Sequence, residues 1–309
     1  MNSIYPFVVI LLLTACKTDE KKEAVTEASE TPKPSIVEVK TQSMEFFSPD
    51  TLKSGWNTFV YENESSEVHF ILMDLYPEGK TAADTKTDIL PPFEEGMKLI
   101  MEGDIDNAIV AFGKLPPWFQ EVKYMGGTGI ISPKHIATST IYLEPGLYIM
   151  ECYVKMADGT WHTSHGMFKE IIVTRESTKM EPPKPTIKIE ISSTEGIVVK
   201  DTIEGGKQTL EVLFKDQTVY EHFLGHDVNL VKYNDDASLD SLVHWMNWMN
   251  PDGLITPSPN GFTFLGGINN LPTLGKGYFE VNLTKGNYML ISEVPLADKK
   301  QLIQKFTIN

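Results

Sequence analysis

In the first half of the chain, Asn63 stands shortly before His69, and the segment Tyr148-Ile149-Met150-Glu151-Cys152 is followed by His162, His165 and Met167. Two imidazoles, a thiolate and a thioether form a donor set that suits copper, because a trigonal nitrogen–sulfur site with a weak axial thioether serves both of its oxidation states. Zinc is served less well, since one thiolate, two imidazoles and a thioether fall short of four strong ligands. Taken singly, each residue has an ordinary structural reading: a free cysteine packs as a small hydrophobe, and a methionine fills gaps. Their order is what points to chemistry. The chain has two cysteines, Cys16 and Cys152. If Cys16 is lipidated, Cys152 has no internal disulfide partner in an exported, oxidising compartment.

This order resembles that of the cupredoxins, the blue copper proteins, in which an Asn and a His follow an early strand and a loop after Pro-Gly-x-Tyr supplies Cys, His and Met. Here Pro145-Gly146-Leu147-Tyr148 opens that loop, and the resemblance covers about residues 45–174. It implies a copper site with His69, Cys152, His162 and Met167 as ligands, His162 and Met167 keeping the family's four-residue gap. One departure stands out. Nine residues separate Cys152 from His162, more than the family places there, and Asp158-Gly159 in the middle reads as a two-residue hairpin turn. A regular turn pairs Ala157 with Thr160, sets His165 opposite Cys152 and turns His162 away. His165 therefore competes with His162 for the second imidazole position, and a bulge decides between them.

The elements that must hold these residues read as strands. Trp56–Tyr61, Val68–Leu75, Thr138–Leu143, Tyr148–Met156 and Phe168–Val173 carry β-branched and aromatic residues between turn signals. Gly126-Gly127, Leu143, Gly146 and Tyr148 recur at an offset of 140 as Gly266-Gly267, Leu283, Gly286 and Tyr288, and His69–Tyr76 parallels His226–Tyr233 at an offset of 157. The chain reads as a duplication. The expected fold is mainly β: two tandem cupredoxin-like Greek-key β-sandwiches over 41–176 and 186–309, each with a helical insert, joined by a proline-rich linker at 177–185. In the first insert Asp104 is expected to cap a helix through Ile105, Ala108, Ile109 and Phe112; in the second, Ser238 caps Leu239, Leu242, Val243 and Met246. The Trp245–Met249 cluster is expected to pack as a lid rather than serve as a binding face. Ser292 stands where the offset of 140 would repeat Cys152, so the second half is expected to lack a metal site. Its His226, His222 and His244 then read as structural, and the half as a packing partner or interaction surface.

The N-terminus carries an apolar run, Phe7–Leu13, ending in Leu13-Thr14-Ala15-Cys16. The run is too short to span a bilayer and fits a secretory signal. Leu-Thr-Ala-Cys resembles a bacterial lipobox, although no Lys or Arg precedes the run. Residues 1–16 are thus expected to be a lipoprotein signal with Cys16 lipidated, and 17–40 a flexible tether, too poor in large apolar residues to order itself. Lys17-Thr18-Asp19-Glu20 resembles an export signal of surface lipoproteins, which implies a place in the bacterial cell envelope, lipid-anchored at the outer membrane, with its outer surface as one expected face.

The net charge of −15, from 27 Lys plus Arg against 42 Asp plus Glu, argues against nucleic-acid binding. Copper enzymes built from cupredoxin domains use His-x-His pairs for further copper ions. None occurs here, His162-Thr163-Ser164-His165 being His-x-x-His, and no hydrolase or phosphate-loop motif is present. The sequence therefore leads to the expectation of a protein that is not an enzyme. Two functions remain: a membrane-tethered copper protein in electron transfer or copper handling, with a redox or copper-transfer partner, or a metal-free duplicated β-sandwich lipoprotein serving as a structural or binding component of the envelope.

Overall fold

The alternation of buried and exposed residues along Thr51–Asn63 sets the architecture, because a strand of that length offers one face to the core and carries it from one layer to another. In the computed structural model, which describes Met1 and residues 35–309, sixteen strands are found among the described residues. The first half contains β1 (Ile36–Gln42), β2 (Glu45–Phe47), β3 (Thr51–Asn63), β4 (Leu72–Leu75), β5 (Lys123–Tyr124), β6 (Ile136–Leu143), β7 (Gly146–Glu151) and β8 (Phe168–Ser177). The second contains β9 (Ile187–Ser192), β10 (Gly196–Val199), β11 (Gly206–Phe214), β12 (Val228–Tyr233), β13 (Phe262–Ile268), β14 (Lys276–Leu283), β15 (Gly286–Ile291) and β16 (Ile303–Ile308). The fold is mainly β, with its sheets packed as sandwiches.

β3 joins the two layers of the first half. Its start, Thr51–Ser54, runs parallel to β8, and from Gly55 onward it pairs antiparallel with β6. β7 then lies between β8 and β4. In the second half, β12 lies between β13 and β15, and β15 pairs with β16. The halves share a sheet: β14 pairs with β6, Tyr278 opposite Thr140 and Phe279 opposite Ser139. β1 pairs parallel with β3, so residues 36–40, assigned to the tether from composition, belong to the sheet. Val37 and Val39 explain this: alternate positions of a short polar stretch bury two valines, which composition averages away. The signal peptide, Cys16 and the rest of the tether lie outside the described residues.

The first insert holds α1 (Ala82–Asp84), α2 (Leu90–Met101) and α3 (Ile105–Phe112), and the second holds α4 (Leu239–Trp245). Asp104 and Ser238 cap their helices through bonds to the Asn107 and Ser241 N–H groups. Met97, Ile100, Ala108 and Phe112 face inward, while Ile105 and Ile109 are exposed.

Positions separated by 140 adopt like conformations. Tyr148 and Tyr288 donate their hydroxyls to the carbonyls of Glu144 and Thr284, at 2.9 and 2.8 Å. Gly127 and Gly267 have φ of 144° and 145°, and a Cβ on either would run into a main-chain carbonyl, that of Ile71 or of Val228. Gly127→Ala is expected to cost about 2–4 kcal/mol through strain and overlap, read as a lower urea midpoint at unchanged slope.

Candidate metal centre

His69 sits just before β4, where its N–H and C=O exchange hydrogen bonds with Ile131 at 3.2 and 2.7 Å. Asn63, at the end of β3, builds the connection. Its amide donates to the Glu67 carbonyl at 2.7 Å, and its Oδ1 accepts from the Ser65 hydroxyl at 2.6 Å. Cys152 follows β7 directly, and its N–H donates to the Met167 carbonyl at 3.3 Å, while the Met167 N–H donates to the His162 carbonyl at 3.0 Å. Three segments distant in sequence thus meet at one end of the sandwich.

The turn at Asp158-Gly159 settles which imidazole joins them. It is one residue longer than a two-residue hairpin: Met156 N–H donates to the Thr160 carbonyl at 2.8 Å, and Lys155, not Ala157, forms the bridge, opposite Trp161. Gly159, at φ 84°, supplies the left-handed residue that such a bulged turn requires. A one-residue change of register exchanges the faces of a strand, so His162 turns toward Cys152. A short 3₁₀ turn over Thr163–His165 then carries His165 to the surface, where its Nε2 meets the Thr160 hydroxyl at 2.8 Å. The structure thus brings His162, and not His165, beside Cys152, because the regular hairpin that favoured His165 does not form.

His69, Cys152 and His162 are fully buried, and their donor atoms lie within 4.8 Å of one another. Cys152 Sγ is 3.7 Å from His69 Nδ1 and 3.9 Å from His162 Nδ1. Donors about 2.0–2.3 Å from a shared ion at trigonal angles stand about 3.7 Å apart, which the two sulfur–nitrogen separations match. Met167 is also fully buried and tied by its main chain to Cys152 and His162.

Burial sets the protonation of the donors. It pushes the His69 imidazole well below its ordinary range, helped by His162, and lowers His162 to about 3, helped by His165. Both rings are neutral at physiological pH, with lone pairs available. The Cys152 thiol is pushed up to about 12 by burial, against smaller opposing main-chain hydrogen bonds. Sequence reasoning missed Glu67: its Oε2 stands 3.0 Å from His162 Nε2, both atoms shielded from water, a close approach that falls short of hydrogen-bond geometry and leaves each without a hydrogen-bond partner among the described residues. A carboxylate there favours the proton on Nε2 and leaves Nδ1 free to face Cys152. Proximity of Glu67 to His69 in sequence was the one available signal.

The second half differs at matching positions. Ser292 donates to the buried Asp227 carboxylate at 2.8 Å, and His226 Nε2 lies 2.7 Å from the Tyr220 hydroxyl.

No family model matches the sequence, and no curated protein matches it. Solved structures do. An auracyanin from Roseiflexus castenholzii aligns at 16% identity over 45% of this chain and 97% of its own, with a TM-score of 0.27. A Cu-containing nitrite reductase from Thermus scotoductus aligns at 11% identity over 89% of this chain and 61% of its own, with a TM-score of 0.22. A multicopper oxidase aligns at 11% identity over 89% of this chain and 88% of its own, also at 0.22. The expectation that the chain is not an enzyme is corrected here, because the latter two neighbours are enzymes. It rested on the missing His-x-His pair, which tests for one arrangement of copper ligands and for no other chemistry.

The thiol also makes stability depend on pH. Its folded pKa of about 12 exceeds the ordinary 9.0, so its contribution to the metal-free fold is complete below pH 9.0 and is lost as pH rises toward about 12. Urea midpoints across that range are expected to fall more steeply for the native chain than for Cys152→Ala.

Proposed function

We propose that the chain binds one copper ion through His69, Cys152 and His162, with Met167 as a weak fourth ligand, and serves electron transfer or copper handling in the bacterial cell envelope, tethered by lipid on Cys16. The observation that carries this reading is the convergence of two neutral Nδ1 atoms and one thiol in a dry interior. Bound copper supplies one-electron chemistry. The protein supplies the rest. Cys152 would give up its proton to hold the ion, Glu67 stands 3.0 Å from His162 Nε2 where it would favour the proton on that nitrogen, and burial of all three donors would keep water out. The offset of 140, with its paired glycines and tyrosines, supports a duplication in which the second half covers the ligand loop of the first.

A Cu(II) titration of the chain tests the reading. Saturation at one equivalent with a strong visible thiolate-to-copper band is expected, and Cys152→Ser abolishes the band. His162→Ala abolishes it as well, while His165→Ala keeps it. A band that survives Cys152→Ser, or no band in the native chain, overturns the proposal.

A separate expectation concerns the outer carboxylate. Glu67→Gln keeps the band and weakens copper binding by roughly 10–100-fold, measured by competition with a chelator.

A further inference from the structure

Beside the metal centre lies a second, chemically distinct cavity of about 70 Å³, between the first insert and the 222–248 region of the second half. Its walls are aromatic. The Phe93 ring is 6.4 Å from Trp161, 6.3 Å from Trp248 and 5.9 Å from Phe223, and Trp161 meets Trp248 edge to face at 5.2 Å. Asp74 and Glu151 also line it. On β4 and β7, Asp74 opposes Ile149 and Leu72 opposes Glu151, so the two acids are diagonal neighbours on one face.

These acids lack a counter-charge. Asp74 is 4% exposed, and its Oδ1 has no hydrogen-bond partner among the described residues. No lysine, arginine or histidine pairs with Asp74 or Glu151 among the described ion pairs, although exposed carboxylates such as Glu95 and Glu176 each have a lysine. A buried carboxylate is costly without a cation or a donor. A hard metal ion is a poor occupant, since it asks for six or more oxygen ligands and this cavity offers mainly ring faces and edges. The two carboxyls meet each other, and a proton shared between them would neutralise only one, so a neutral apolar occupant leaves a negative charge unmatched. Ring faces attract cations, so the walls and the carboxylates favour one chemistry together.

We propose that this pocket binds a small organic cation, a compact protonated amine or quaternary ammonium, with its charge against Asp74 and Glu151 and its alkyl groups against Phe93, Trp161 and Trp248. The volume is that of about two or three waters, which selects a compact head group over a large ring system. The site abuts the ligands in sequence: Glu151 precedes Cys152, Trp161 precedes His162, and Thr163, also lining the cavity, follows it. An occupant is therefore one residue from two copper ligands. The proposal goes beyond the copper reading and does not depend on it.

The test uses the metal-free full chain in an uncharged detergent, so that its failure and failure of the copper reading are separate results. Ethylammonium and its uncharged isostere ethanol, three heavy atoms each, are titrated by calorimetry and by tryptophan fluorescence, which Trp161 and Trp248 report. Saturable binding of the ammonium, at least about tenfold tighter than the alcohol, is expected. Asp74→Asn, nearly isosteric, weakens the ammonium at least about tenfold and leaves the alcohol unchanged; Glu151→Gln serves as the second variant if Asp74→Asn unfolds. Equal affinity for amine and alcohol, absence of saturation by the amine, or an unchanged affinity in a folded variant overturns the proposal.

Discussion

The side-chain amine of Lys155 holds the loop between Cys152 and His162 to the rest of the molecule. The residue is fully buried, and Nζ donates to the carbonyls of Trp248, Asn250 and Pro251 at 3.0, 2.8 and 3.2 Å. Its main chain is tied as well, donating to the Leu254 carbonyl at 2.8 Å and accepting from the Thr256 N–H at 2.9 Å. Burial lowers this group to about 7, and each such hydrogen bond contributes about 0.5–1.5 kcal/mol; removing the amine would leave the Trp248 and Pro251 carbonyls without a donor, while the Asn250 carbonyl keeps the Gly253 N–H. Two features depend on this clasp. It anchors the strand whose bridge to Trp161 sets the register of His162, and it draws Trp248 against Trp161 to complete the aromatic wall.

The cluster of His69, Cys152 and His162 and the aromatic pocket are two answers to one problem, the placing of polar groups in a buried interior. At the centre the donors are kept neutral by burial, with two imidazoles and a thiol in mutual contact and no counter-ion needed. A metal ion bound there takes a thiolate in exchange for a proton, so its affinity is coupled to pH. In the pocket the polar groups are acids, and neutrality requires either a held proton or an arriving cation. The carboxylate of Glu67 lies between these cases, partly buried beside Thr256 and the His162 ring.

Much of the arrangement was legible in the chain. Strand alternation marked the sheets, and the caps at Asp104 and Ser238 marked two helices, because these signals arise from neighbours in sequence. The set of His69, Cys152 and His162 was legible from residue type and order. The choice against His165 was not, since it turned on a single extra residue in a turn whose dipeptide, Asp158-Gly159, suits a shorter one. Glu67 and the acid pair were hidden among 42 acidic residues, and composition does not tell a solvated carboxylate from a buried one.

The sequence by itself determined the strand content, the repeat at an offset of 140, the donor types and the excess of negative charge, all of which are local or additive properties. Tertiary structure alone decided that β6 and β14 join the halves in one sheet, that His162 rather than His165 faces Cys152, and that Asp74 and Glu151 share a face beneath aromatic rings from both halves. Those outcomes rest on register and on contacts between segments far apart in the chain. Such contacts form only when the whole core closes and hydrogen-bond pairing, packing and desolvation are satisfied together.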